Sequence, residues 1–251
     1  MKSKSNLDTK PLFSPHIHGG GKVGDVRTHS CCPQYLRIPV KTRILKSGDD
    51  FIEIIKTYAS DLLQEGDIIV ISESPLAITQ GRAINVKDIK IGFLARFLWR
   101  FVGKVNYGIG LRAPTSMQCA IEECGAFRIF FAAVLGGFSK IFLRRKGDFY
   151  RIAGKQAALI DAAFTTTVEG YEECVIKGPL NPEKEAQNIA DNTGHEIAIM
   201  DINDIGGSWV IGHSRGINTK LLEDIMRDNP QGQGDELTPL CIVRFIKNET
   251  Y

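Results

Sequence analysis

The stretch IAIMDINDIGGSWVIG, residues 197–212, constrains the fold more than any other: an apolar run stops at Asp201, Asn203 and Asp204, and Gly206 and Gly207 follow at once. A short apolar run bounded by turn residues reads as a buried strand, and EIAIMDIND is assigned as one. Residues two apart on a strand share a face, so Asp201 and Asn203 point one way while Asp204 leads into the turn. On composition alone Asn-Asp-x-Gly-Gly is a polar turn. Hard oxygen donors gathered at a strand end also suit Mg²⁺ or Mn²⁺, which takes one or two carboxylates and completes its shell with water and phosphate. Glycines beside such a site let a backbone approach the phosphate without a Cβ in the way.

The flanking segments alternate between strand and helix signals. YLRIPVKTRIL alternates as a strand, SGDD offers an N-cap to the helical run FIEIIKTYASDLLQ, and IIVISES is a second strand. LAITQGRAI follows as an extended or helical piece. NPEKEAQNIADNTG reads as a helix, with Pro182 in its first turn and Gly194 as its cap. KLLEDIMRDNP is a helix stopped by Pro230, and LTPLCIVRFI is a strand. With no GxGxxG and no Walker loop, the alternating elements argue for a mixed α and β fold, mixed sheets with helices, that is neither a dinucleotide-binding nor a P-loop domain. Residues 1–34 read as a flexible tail, and 35–251 as one domain whose helical middle, about 86–142, is a candidate second lobe.

A chain of 251 residues with 31 basic and 29 acidic side chains has a net charge of +2, so bulk electrostatics makes no case for nucleic acid, and any anion site must be local. The six cysteines form no CxxC pair and read as reduced thiols of a cytoplasmic protein. The spacing of His16, His18, His29, Cys31 and Cys32 fits no zinc finger. The N-terminus lacks the apolar core of a signal peptide.

IKIGFLARFLWRFVG, 89–103, has Arg96 and Arg100 inside it, and AFRIFFAAVLGGFSKIF, 126–142, is interrupted well short of the roughly 20 apolar residues a membrane span needs. Neither is a span. They read as buried or oligomer-facing helices or, alternatively, as interfacial helices with snorkelling basic residues.

Other candidate groups are scattered. The loop NPQGQGDE places Gly232 and Gly234 beside Asp235 and Glu236, as ligands, a closing flap or a plain connection. Glu73 sits at a strand end. Arg82 and Arg112 are candidates for holding a carboxylate or phosphate, Arg112 standing just before the helix APTSMQCAIEEC. His195 and His213 have no nucleophile context.

Taken in order, KTRILKSGDDFIEII, EGDIIVISESPLAITQGR, GPLNPEKEAQNIADNTGHEIAIMDINDIGG and GQGDELTPLCIVR resemble the coenzyme F420-0:gamma-glutamyl ligase family over about residues 36–246. The resemblance implies that family's α+β fold, a cytoplasmic homodimer, and an acid–amino-acid ligase that uses GTP and Mg²⁺ or Mn²⁺. A small-molecule carboxylate is activated as an acyl phosphate, and an amino acid, glutamate in the family, attacks it. Carried over residue by residue, the metal site falls on Asp201, Asn203 and Asp204, and nucleotide contacts fall on Thr42, Arg43, Ile44 and Leu45. Arg82, Gly206 and Gly207 join the cofactor contacts, and Arg112 and Asp204 are the catalytic candidates. A family Lys falls on Ile78, and a second metal carboxylate expected near Tyr107-Gly108-Ile109-Gly110-Leu111-Arg112 has no Asp there. These losses keep open a noncatalytic ligand-binding or regulatory protein on the same fold.

Overall fold

The computed structural model of the protein describes residues 34–102, 110–142, 147–203 and 207–246. Asp204, Gly206, the His and Cys residues of the tail, and Tyr107 to Ile109 lie outside the described residues.

In chain order the elements are β1 (Tyr35–Val40), α1 (Phe51–Tyr58), β2 (Ile68–Ser72), α2 (Glu73–Thr79), β3 (Ala83–Asn85), α3 (Phe93–Leu98), α4 (Pro114–Cys124) and α5 (Ala126–Phe142). They continue as α6 (Asp148–Ala153), α7 (Lys155–Ala158), β4 (Cys174–Ile176), α8 (Pro182–Thr193), β5 (Glu196–Asn203), β6 (Gly207–His213), α9 (Thr219–Ile225) and β7 (Leu240–Phe245). The architecture is α+β. A five-stranded mixed sheet in the order β1-β7-β2-β5-β6 has one parallel pair, β2 with β5, and antiparallel neighbours elsewhere. β3 and β4 form a separate antiparallel pair.

The inner strands are apolar on both faces because both faces are covered. Alternate residues Ile69, Ile71, Ile197, Ile199, Leu240 and Ile242 meet α1 and α8 on one side. The residues between them, among them Val70, Ala198 and Met200, meet Leu222 and Ile225 of α9 on the other. Each such fully buried side chain is worth roughly 1.5–3 kcal/mol.

Local signals set the helix ends. The Asp50 carboxylate accepts from the Ile52 amide at 2.9 Å as N-cap of α1. Gly194 ends α8 at φ +76°, where a side chain would be strained.

A second hydrophobic cluster is built by the helices between the two halves of the sheet sequence, with Leu98, Leu111, Met117, Ile129 and Ile160 inside it and β4 contributing Val175. It runs through α6 and α7, past residue 142. One expectation is corrected and one open choice is resolved. The first strand stops at Val40 rather than running to Leu45, because the chain leaves the sheet and the Thr42 amide donates to the Leu237 carbonyl at 2.8 Å. LAITQ is helical, as the end of α2, and turns at Gly81 into β3. The four described cysteines are unbridged, and among the described residues no helix is long and apolar enough to cross a membrane.

Candidate functional site

The C-terminal ends of the parallel pair β2 and β5 open into a cavity of about 1080 Å³, walled on its far side by α5, α6 and α7. Clefts at the carboxyl ends of parallel strands are where α/β sheets hold ligands, because helix starts and loop residues converge there.

Five acidic residues line it, Asp148 and Glu223 among them, and three repel one another: Glu73 where β2 passes into α2, Asp201 near the end of β5, and Asp161 after α7. Glu73 is only 5% exposed. Burial first, then repulsion from Asp161 and Asp201, pushes its carboxyl well above the usual range. Burial, then the nearby Asp161, raises Asp201 to about 6. Burial raises Asp161 as well, opposed by the Ser74 hydroxyl, which donates to its Oδ2 at 2.7 Å. The corner is therefore short of positive charge, and protons or cations relieve it.

Beside it Gln231 is 3% exposed; its Nε2 donates to Ser72 Oγ at 2.9 Å and to the Thr238 carbonyl at 3.2 Å. Its Oε1 is buried in the cavity wall with no hydrogen-bond partner among the described residues. Such an acceptor ordinarily costs about 1–3 kcal/mol. No three His, Cys, Asp or Glu side chains among the described residues stand close enough to cage a metal ion by themselves. Carboxylates like these can still supply one or two oxygens to an ion whose remaining ligands are water and phosphate.

Thr42, Arg43, Ile44 and Leu45 all line the cavity, as do Asp201 and Asn203. Arg43 is not a loose cation: both its terminal nitrogens hold Asp49 at 2.7 Å, and Nη1 also donates to the Ile44 carbonyl. The fork keeps the Asp49 carboxyl low and fixes the 42–45 strap. Ile78 also stands in the wall, packed with Ala77 and Ile176.

Other predicted residues are not brought there. Arg82 lies outside the cavity wall; its Nη2 donates to Glu123 at 2.7 Å and its Nε to the Gly178 carbonyl, and Lys177 holds the same Glu123 at 3.1 Å. It is a buried structural cation. Arg112 is exposed and precedes α4, whose first residue is Pro114, but it too lies outside the wall. Gly207 opens β6 instead of cradling phosphate: its amide donates to Asn203 Oδ1 at 2.9 Å, and a Cβ there would meet the Trp209 ring at 2.5 Å. In the 231–236 loop the glycines line the cavity, but the Glu236 carboxylate turns back to accept from the Gln233 and Gly234 amides.

Two cavity residues escape sequence reasoning. Asp161 sits in an unremarkable apolar stretch, and only packing of the helical cluster delivers it to Asp201. Lys155, exposed at the start of α7, lines the same cavity and has no ion-pair partner among the described residues. The GK pair after a helical run was the only local sign of it.

Comparisons bear on this geometry. A family model described as F420-0:Gamma-glutamyl ligase matches residues 39–214. An uncharacterized protein of Methanocaldococcus jannaschii is 32% identical over 176 residues, which cover 64% of this chain and 53% of that protein. The chain thus spans about half the length of the curated relative it matches.

Proposed function

The chain belongs to the F420-0:gamma-glutamyl ligase family, and on that premise we propose that its cavity joins a small carboxylic acid to an amino acid at the expense of a nucleoside triphosphate, GTP in the first instance. The observation that carries this reading is the convergence of Glu73, Asp161 and Asp201, with the unpartnered Gln231 Oε1, at the ends of β2 and β5.

In the reaction the terminal phosphoryl group passes to a carboxylate oxygen, giving an acyl phosphate and a nucleoside diphosphate. The amine nitrogen then forms the amide bond, and inorganic phosphate and a proton leave. Asp201, with Asp161 or Glu73, is the carboxylate set that would hold Mg²⁺ or Mn²⁺, with Asn203 and Asp204 following it on the chain. A divalent ion there supplies charge neutralisation on the phosphates. Lys155 and the braced Arg43 line the cavity as the cations for anionic groups. In this reading Asp161 and Lys155 stand in for the carboxylate missing near Gly110 and the cation missing at Ile78. The homodimer and cytoplasmic setting implied by the family belong to the same reading.

Thermal melting with GTP, ATP and Mn²⁺, singly and together, tests it: Mn²⁺ with a triphosphate raises the melting temperature of wild type, by mass action on the folded state. No stabilisation by any combination sinks the reading. The apolar Ile78 in the wall favours a second one, a ligand-binding protein without turnover. Stabilisation by Mn²⁺ and triphosphate with no phosphate release in the presence of carboxylic acids and glutamate would select it.

A further inference from the structure

The helical cluster carries an apolar face that no other element among the described residues covers. On α3, Phe93 is 86% exposed and Phe97 follows it, and Phe101 in the short 3-10 turn after α3 sets its ring 5.0 Å from that of Phe97. On α5, which packs against α3, the exposed stripe is Phe127, Phe131, Leu135, Phe138 and Phe142, at steps of three or four residues. The opposite side of α5 buries Ile129 and Ala132 in the core. A helix apolar on both sides in an otherwise ordinary fold marks a contact surface.

Charge says what the contact is. Among the described side chains of 89–102 and 125–142, Lys90, Arg96, Arg100 and Arg128 are basic and none is acidic, although the whole chain carries only +2. Arg96 and Arg100 are exposed and interleave in sequence with Phe93, Phe97 and Phe101, and Arg100 lies 5.6 Å from the Trp99 ring centroid. A second copy seated on this face by a two-fold axis would bring basic residues against basic residues with no acid to pair them. Anionic lipid headgroups offer the missing charge, and the acyl boundary takes the phenylalanines. With 17 residues, α5 is about 25 Å long, shorter than the hydrocarbon core of roughly 30 Å, so it lies in the interface and does not cross.

We infer that the α3–α5 face docks on an anionic membrane surface. The 251-residue chain is sedimented with phosphatidylcholine vesicles, alone or containing about a third phosphatidylglycerol. The expected result is pelleting with the anionic vesicles, weakened by salt, and little with the neutral ones. Arg96→Gln with Arg100→Gln lowers partitioning roughly 30-fold, at about fivefold per arginine near the surface. Phe131→Ser with Phe138→Ser abolishes it while the melting temperature holds, since both rings point outward. Failure of wild type to pellet with anionic vesicles at low salt, or equal binding to neutral ones, overturns the inference. So does a wild-type dimer on size exclusion that the serine variant converts to monomers, because a second copy would then own the face. Wild-type pelleting needs no variant and decides the matter if the variants fail to fold.

Discussion

Replacing Asp201 by Asn should stabilise the ligand-free protein, and only above a defined pH. Burial and the neighbouring Asp161 move the Asp201 carboxyl from an ordinary 3.8 to about 6. The folded state therefore binds this proton more tightly than the unfolded state. Stability from this group is intact below about pH 4, is lost as pH rises from about 4 to 6, and stays lost above that. Holding the group ionised at pH 7 costs about 3 kcal/mol at 1.36 kcal/mol per tenfold change in acidity. Asp201→Asn removes the charge and keeps the shape, so most of that cost disappears. For a chain of this size it corresponds to a rise of several degrees in melting temperature. Differential scanning fluorimetry of both proteins without metal, from about pH 4 to 8, reads the effect. The curves should coincide near pH 4 and separate towards pH 7. A pH-independent difference, or a less stable Asn variant at pH 7, would refute the reasoning, because Asp201 would then be satisfied by partners and not strained by its carboxylate neighbours.

Lys155→Ala should leave the melting temperature of the free protein within about a degree, the side chain being exposed, and weaken triphosphate binding about tenfold by calorimetry. Arg82→Met should do the reverse: loss of about 3 kcal/mol in urea unfolding, because Glu123 and Gly178 lose their buried partner, with triphosphate affinity of the folded protein unchanged. Weakened binding without lost stability would move Arg82 back into the site.

The sheet was legible where one element carries its own pattern. The run IAIMDIN forms β5 and GSWVIGH forms β6, so the opening motif is a hairpin, and the same strand end also lines the cavity with Asp201 and Asn203. Thr42 to Leu45 reach the cavity because the strand breaks at Val40, which alternation alone cannot announce, since the break is made by a hydrogen bond to Leu237. Arg82 meets Glu123, 41 residues away on α4, and an isolated guanidinium looks the same in sequence whether it meets substrate or carboxylate. Asp161 was invisible for the same reason. Its place beside Asp201 depends on how α4 to α7 pack, and no local rule encodes that.

The central claim is that the carboxylate corner around Asp201 holds a metal-bound triphosphate. Calorimetric titration of GTP into wild type and Asp201→Asn, both in saturating Mn²⁺, tests it most directly. Saturable binding in wild type, weakened at least about tenfold in the variant, is the predicted result. Equal affinities in the two proteins, or no binding in either, would contradict it.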